Sequence, residues 1–388
     1  MGLLWRQSAR DHQDDVRVGI NALFLIPGKV GGSETYLRAL VRALQAVDHA
    51  NDYVIYTNRE NAGSFELSSP RFREVRCPVT ASNRAARMAW EQLVLPLQAL
   101  RDRLDVLHSP GYTGPLVLGC ANVVSILDLN YHFHPEDWTR TALLANQLLI
   151  PRVAKAATHV ITISECSRRA IIDVLHVPAQ KISVTLLGVD GNLVEPAPAA
   201  TLVDKFGLDR PYLFTVTASH PHKNVDGLFR AYELACRDWV DPPPLVVVGI
   251  RGRHQERLEA IVRGWSGGGR IVFPGWVDAP TLAALYRGAR VFVFASKYEG
   301  FGIPVLEAMS VDVPVVSSNR ASLPEVCGDA ATLVDPDDLA AFAAAMRRLF
   351  TDEAARAQHV TRGRDQVAKF TWRRTAEATL GAYELARH

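Results

Sequence analysis

The chain has 388 residues, 48% of them hydrophobic and 22% charged, with 43 basic against 41 acidic side chains and a net charge of +2. That length predicts two domains with self-sufficient cores, and the near-neutral balance excludes a nucleic-acid binder driven by bulk charge. Ordinary apolar content without low-complexity runs excludes disorder.

The amino terminus, MGLLWRQSARDHQDD, turns polar after five residues and lacks the apolar stretch of a signal peptide. No run reaches 18 consecutive apolar residues, so no membrane-spanning helix is expected. Cys77, Cys120, Cys166, Cys236 and Cys327 are scattered, with no C-x-x-C spacing. They suit a reducing compartment and read as small buried hydrophobes. The expected location is cytoplasmic, with peripheral attachment at the inner face of the membrane left open.

The first predicted strand, Val16–Leu25, leads into PGKVGGSETYLRAL, residues 27–40. Gly31 and Gly32 precede Ser33, an N-cap residue type, and a predicted helix over Glu34–Val47. A helix N-terminus at a strand's carboxyl end can receive an anion; a tight turn without a ligand explains the same residues. Strand Asp52–Asn58 follows. Residues 71–103 then carry seven Arg against Glu74, Glu91 and Asp102 around the apolar stretch AWEQLVLPLQAL. This reads either as a solvated helix face or as a surface for an anionic membrane or acceptor.

Strands are predicted at Asp105–Ser109, Val123–Leu129, His159–Ser164 and Ile182–Leu187, each separated by helical stretches. The Gly- and Pro-rich GVDGNLVEPAPAATL, residues 188–202, marks a linker. Beyond it the scheme repeats: Tyr212–Ala218, Leu245–Ile250, Arg270–Phe273, Val291–Ala295, Val313–Ser317 and Thr332–Val334, with a helix over Thr281–Gly288. Runs such as LVVVGI and RVFVFAS are near-continuous in apolar residues, as strands buried on both faces of a parallel sheet are. The chain therefore divides into residues 1–190, 191–370 and a final helical segment, 371–388, expected to return to the first unit. Two open parallel sheets place ligands beyond the carboxyl ends of their strands, in a cleft between them.

Two segments of the second unit bear on chemistry. TVTASHPHKN, residues 215–224, follows a strand and puts Lys223 at the start of the next helix, where its charge can meet an anionic leaving group. A solvated lysine is the alternative. SKYEGFGIPVLEAM, residues 296–309, also follows a strand. Gly300 and Gly302 permit close backbone approach, and Pro304 suits a first helical turn. Glu299 and Glu307 can accept from ligand hydroxyls at two ends of one polar molecule, or stand as surface glutamates. The P-loop and dinucleotide fingerprints are absent: Gly28-Lys29 is followed by Val30, and Gly300-Phe301-Gly302 by Ile-Pro-Val. Asp335-Pro336-Asp337 reads as a turn, not a metal-binding D-x-D.

The stretch from Gly275 to Asp338, with weaker matches in GGSETYLRAL, DVLHSPGY, VITISECSRRAI and PHKN, resembles the retaining glycosyltransferases of family 4. The resemblance implies the GT-B fold, two Rossmann-like parallel-sheet α/β domains facing a central cleft. It implies transfer of a hexose or deoxyhexose, of mannose type, from a GDP- or UDP-sugar to a glycan, lipid-linked or small-molecule acceptor, with no cofactor and no metal. A nucleotide-sugar hydrolase or epimerase, or a non-catalytic nucleotide-sugar binder, would keep the same donor motifs.

Carried over by residue, the family's E-x7-E pair falls on Glu299, toward the donor sugar, and Glu307, toward the ribose. Lys223 and the backbone of Gly300, Phe301, Gly302 and Ile303 would hold the diphosphate and sugar, with Gly31 and Gly32 approaching from the first domain. Ser219 and His220 would join the donor contacts, and Gly275, Trp276 and Val277 the base pocket. Glu299, Lys223 and Asp128 form the implied catalytic set. Two departures stand out. No Arg precedes Lys223 in TVTASHPHKN, and Leu127 replaces the His of the family's HD pair, so Asp128, His132 and His108 compete for the acceptor side.

Overall fold

The computed structural model describes residues 16–189, 194–250 and 255–388. The amino-terminal stretch discussed above, residues 1–15, and part of the linker, residues 190–193, lie outside them. Among the described residues the chain builds two parallel sheets. The first contains β1 (Arg17–Asn21), β2 (Asp52–Thr57), β3 (Phe72–Arg76), β4 (Val106–Ser109), β5 (Ala121–Ser125), β6 (His159–Thr162) and β7 (Ile182–Val184) in the order β3-β2-β1-β4-β5-β6-β7. The second contains β8 (Tyr212–Ala218), β9 (Leu245–Ile250), β10 (Ile271–Gly275), β11 (Ala289–Phe294), β12 (Val315–Ser318) and β13 (Ala331–Val334) in the order β10-β9-β8-β11-β12-β13.

The doubly wound order explains where the ligands belong. In each sheet the winding reverses once, between β1 and β4 and between β8 and β11. Loops leaving neighbouring strands at that point diverge to opposite faces and open a crevice. The GGSE, PHKN and EGFG segments all issue from these strands.

The strand β3 is absent from the reading above. Its sequence, FREVR, carries three charges in five residues, as suits an edge strand with only Phe72 buried. The seven-arginine segment is accordingly not one solvated helix. After β3 it forms two helices, Arg84–Leu93 and Leu95–Arg101. Several of its charges are already engaged, Arg71 with Asp52 at 3.1 Å, Arg73 with Asp102 at 2.9 Å and Arg87 with Glu91 at 2.8 Å.

The final helix, Trp372–Arg387, leaves the second domain and packs against the helix Gly32–Val47 of the first. It buries Ala376, Ala382 and Tyr383. The two passages of the chain between the domains run beside each other. The Val189 amide donates to the Phe370 carbonyl at 3.2 Å, and the Thr375 hydroxyl to the Leu186 carbonyl at 2.7 Å. Gly188 lies so close that a Cβ there would stand 2.1 Å from the Trp372 amide nitrogen.

All five cysteines are free. Burial raises each thiol, to about 12 at Cys327 and about 11 at Cys120, as expected of packing residues and not of nucleophiles.

Candidate active site

Lys223 closes a single 3-10 turn, Pro221–Lys223, at the end of β8. Asn224 follows in a left-handed conformation (φ 54°) and ties the loop down, its Nδ2 donating to the carbonyls of Ala295 (3.1 Å) and Pro336 (3.2 Å). Asparagine tolerates that backbone better than most residues. Glu299 lies in the turn after β11, the neighbouring strand. Its two carboxylate oxygens accept from Lys223 Nζ at 2.7 and 2.8 Å. The Ser322 hydroxyl lies 2.8 Å from the Glu299 carbonyl and 2.7 Å from that of Phe301, pinning the turn from the side of β12.

The turn ends at Gly302, whose φ of 128° lies where side chains are disfavoured; a Cβ there would also stand 2.8 Å from the Leu323 side chain. Gly302 caps the helix Ile303–Ser310 without a side-chain bond, and Pro304 occupies its first turn. Pro304 has no N–H and the Val305 amide donates to the Gly302 carbonyl at 3.0 Å, which leaves the Ile303 amide and the positive end of the helix dipole for a ligand at the cleft.

The first domain presents Asp128 opposite this turn. The carboxylate accepts from the Tyr112 hydroxyl (3.2 Å) and the Asn130 amide (3.1 Å). Burial holds its carboxyl above the ordinary range; these hydrogen bonds and Lys223 oppose that shift, while Glu299 adds to it. Approach between the domains is tight: a Cβ at Gly300 would stand 2.9 Å from Asp128 Cβ and Oδ2. The cavity between them measures about 350 Å³.

Gly32, Asp128, Lys223, Glu299, Gly300, Phe301, Gly302 and Ile303 line this cavity. The remaining sequence candidates lie outside its lining. Gly31 is exposed one residue before Gly32, Ser219 is buried and His220 half-buried on the Lys223 loop, and Gly275 and Val277 flank an exposed Trp276. Glu307, on the second turn of the Gly302-capped helix, accepts from the Tyr286 hydroxyl at 2.7 Å.

Two acceptor candidates are corrected. His108 on β4 is fully enclosed, its Nδ1 2.8 Å from the Tyr383 hydroxyl and its Nε2 2.7 Å from Ser125 Oγ. Burial lowers its pKa to about 3. It is a neutral core histidine beneath the final helix. His132 is exposed and packs edge-on against Phe133, away from the cavity. Of the three, Asp128 alone lines the cavity.

Sequence reasoning missed the residues that join the domains around this site. Asp137 of the first domain bonds His222 Nδ1 beside Lys223 and stands 3.9 Å from His220 Nδ1. The Leu129 amide donates to the Tyr298 hydroxyl at 3.2 Å, next to Glu299. Glu325 takes the amides of Glu165 (2.9 and 3.0 Å) and Cys166 (3.3 Å), at the N-terminus of the helix Glu165–Leu175. Tyr298, Glu325 and Tyr112 all lie within the motif stretches quoted above, but no spacing shows which side chains cross a cleft.

Residues 30–192 match the family described as Glycosyltransferase Family 4, and residues 202–366 the family described as Glycosyl transferases group 1. Over 303 residues the chain is 34% identical to the O-antigen chain mannosyltransferase B of Escherichia coli, covering 77% of each protein. The chain belongs to the group 1, family 4 glycosyltransferases. This glycosyltransferase is also 27% identical over 329 residues to the MMP alpha-(1->4)-mannosyltransferase of Mycolicibacterium hassiacum, covering 80% of this chain and 75% of that one. Sucrose-phosphate synthase from Thermosynechococcus elongatus superposes with a TM-score of 0.75 over 95% of this chain and 98% of that one. At 19% identity that likeness speaks to the fold, which is GT-B. A trehalose-6-phosphate structure from E. coli, bound with UDP-2-fluoro glucose, gives a TM-score of 0.71 at 13% identity, over 95% and 99% of the two chains.

Proposed function

We propose that this glycosyltransferase moves a mannose-type sugar from a nucleoside-diphosphate donor, GDP-linked before UDP-linked, to a glycan or lipid-linked acceptor with retention at C1. The observation that carries the reading is Lys223 paired with Glu299 at the mouth of the Gly302-capped helix, facing a half-buried Asp128 across a cavity of about 350 Å³. Lys223 and the helix amides supply positive charge where a diphosphate departs. As the C1–O bond breaks, the donor electrons leave on the phosphate oxygen. The acceptor hydroxyl then attacks C1 from the same face and gives its proton to that oxygen. Glu299 orients the sugar, Glu307 the ribose, and Asp128 the acceptor hydroxyl. The mannose preference rests on the two mannosyltransferase relatives.

The charge supplied by Lys223 and the helix end assigns no role to a divalent metal, so transfer is expected to survive EDTA. The deciding assay incubates the enzyme with GDP-mannose, other GDP-sugars and UDP-sugars, with and without a mannose-terminated acceptor. The expected result is acceptor-dependent nucleotide release with an α-linked product. Release without acceptor would replace the reading with a hydrolase, and nucleotide binding without turnover with a binding protein.

The reading extends to peripheral contact with an anionic membrane surface. Leu93, Leu97 and Leu100 are 70%, 64% and 62% exposed, while Leu95 and Ala99 between them are buried. Gly119 lies against Leu100, and Val117, two residues before it, is 82% exposed. Exposed Arg76, Arg101 and Arg103 belong to the same segment. An apolar stripe accompanied by arginines suits acyl chains and anionic headgroups together. Phosphatidylglycerol vesicles are expected to sediment the wild type but not a Leu97→Ser/Leu100→Ser variant. Equal recovery of both with the vesicles would remove the assignment.

A further inference from the structure

A second cavity, about 500 Å³, lies in the first domain and shares Ser33, Tyr112 and Asp128 with the donor-side cavity. Its walls are mainly apolar and aromatic, with Phe24, Tyr131 and Trp138 among them. Two arginines also line it, Arg84 and Arg87, both from the start of the helix Arg84–Leu93. That helix has no acidic residue in its first turn. Cations at a helix N-terminus oppose its dipole, so the arrangement costs stability locally.

The two arginines differ in how they are answered. Arg87 is buried and forms an ion pair with buried Glu91 at 2.8 Å, which neutralises it. Arg84 Nη2 donates instead to the neutral amide oxygen of Asn146 at 2.6 Å, and its Nε is buried without a hydrogen-bond partner. Burial, and then Arg87, lower the affinity of the Arg84 guanidinium for its proton, while Glu91 opposes them. Glu91 is bonded to Arg87, and Asp128, the carboxylate in the cavity wall, accepts from Tyr112 and Asn130, so neither forms an ion pair with Arg84. A half-buried cation in a mainly apolar cavity is then only partly compensated, and an anionic ligand would complete the compensation.

We propose that this cavity selects an acceptor carrying an anionic group, a phosphate ester or a carboxylate, seated on Arg84 while its sugar ring lies among the aromatic walls and presents a hydroxyl to Asp128. The proposal rests on the glycosyltransferase reading above and names the class of acceptor. Arg84 is the specificity-determining residue: a planar guanidinium binds such groups in two-point fashion, which a lysine cannot reproduce.

Ligand-observed NMR titrations of the full chain, with and without GDP, would compare mannose with mannose 6-phosphate and glucuronate, and include inorganic phosphate. In the wild type the charged sugars are expected to bind at least about ten-fold tighter than mannose, with inorganic phosphate displacing them. Arg84→Gln should erase that preference and Arg84→Lys retain part of it, both binding GDP as the wild type does, which reports an intact fold. Equal binding of charged and neutral sugars by the wild type would overturn the proposal, as would a preference that survives Arg84→Gln. A wild type that ignores nucleotides but prefers charged sugars would fail the donor reading alone, because the titrations without GDP remain readable.

Discussion

Lys223 and Glu299 stand 76 positions apart in the chain and 2.7 Å apart in space. Each answers the other's charge, so neither can be replaced without leaving its partner partly uncovered. In Lys223→Ala the departing diphosphate loses a preorganised cation, and turnover should fall by about 10²–10³, a range typical of removing one such donor. Sugar transfer at the wild-type rate would contradict that role. Glu307 lies farther from the reacting centre, hydrogen-bonded to Tyr286. Glu307→Ala is expected to weaken nucleotide binding by calorimetry while changing the chemical step less. His108 makes a different prediction. Its folded pKa of about 3 lies below the ordinary 6.5, so below pH 6.5 the unfolded chain binds a proton that the folded chain does not. Stability should fall as pH drops from 6.5 toward 3 and be insensitive to this group above 6.5. His222, whose pKa burial also lowers, adds to the same slope. Urea midpoints for His108→Gln across that window should fall less steeply than for the wild type.

At the scale of elements, the turn Glu299–Gly302 is held by backbone geometry that a side chain would disturb. Gly302→Ala must adopt φ near 128° against Leu323 and should destabilise the second domain by about 1–3 kcal/mol, measurable as a shift in its thermal transition. Unchanged stability together with full nucleotide binding would show that the turn adapts. The strands β8 and β11 were legible because YLFTVTA and ARVFVF are predominantly apolar and β-branched or aromatic. Their adjacency was not, since β9 and β10 intervene in sequence and only the reversal of winding brings Lys223 to Glu299. The edge strand β3 escaped because half its residues are charged and solvated, which removes the apolar signal that marks interior strands. His108 misled for the converse reason. A polar residue in a buried strand invites a functional reading, and the group that satisfies it, Tyr383, lies 275 residues downstream.

At the scale of the molecule, three of the contacts between the domains lie around the cleft: Asp137 with His222, Leu129 with Tyr298, and Glu325 with the helix starting at Glu165. The last places a carboxylate on free amides at a helix N-terminus, an interaction favoured by both hydrogen bonding and the dipole. Glu325→Ala leaves those amides without it. Small-angle scattering should then show a larger radius of gyration than the wild type, with each domain's own thermal transition retained. An unchanged radius would mean that the remaining contacts between the domains suffice.

The return of the helix Trp372–Arg387 to the first domain bears on how the molecule is made. Tyr383 closes over His108, and Ala376 and Ala382 fill the groove beside the helix Gly32–Val47. Residues 16–189 therefore leave the ribosome lacking one wall of their own core, and the second domain, later in sequence, can complete its sheet before they do. Domains usually mature in the order of synthesis. Here the amino-terminal domain must wait, partly assembled, for the last helix to emerge, and a nascent chain halted at Phe370 should still expose that groove to a chaperone or a protease.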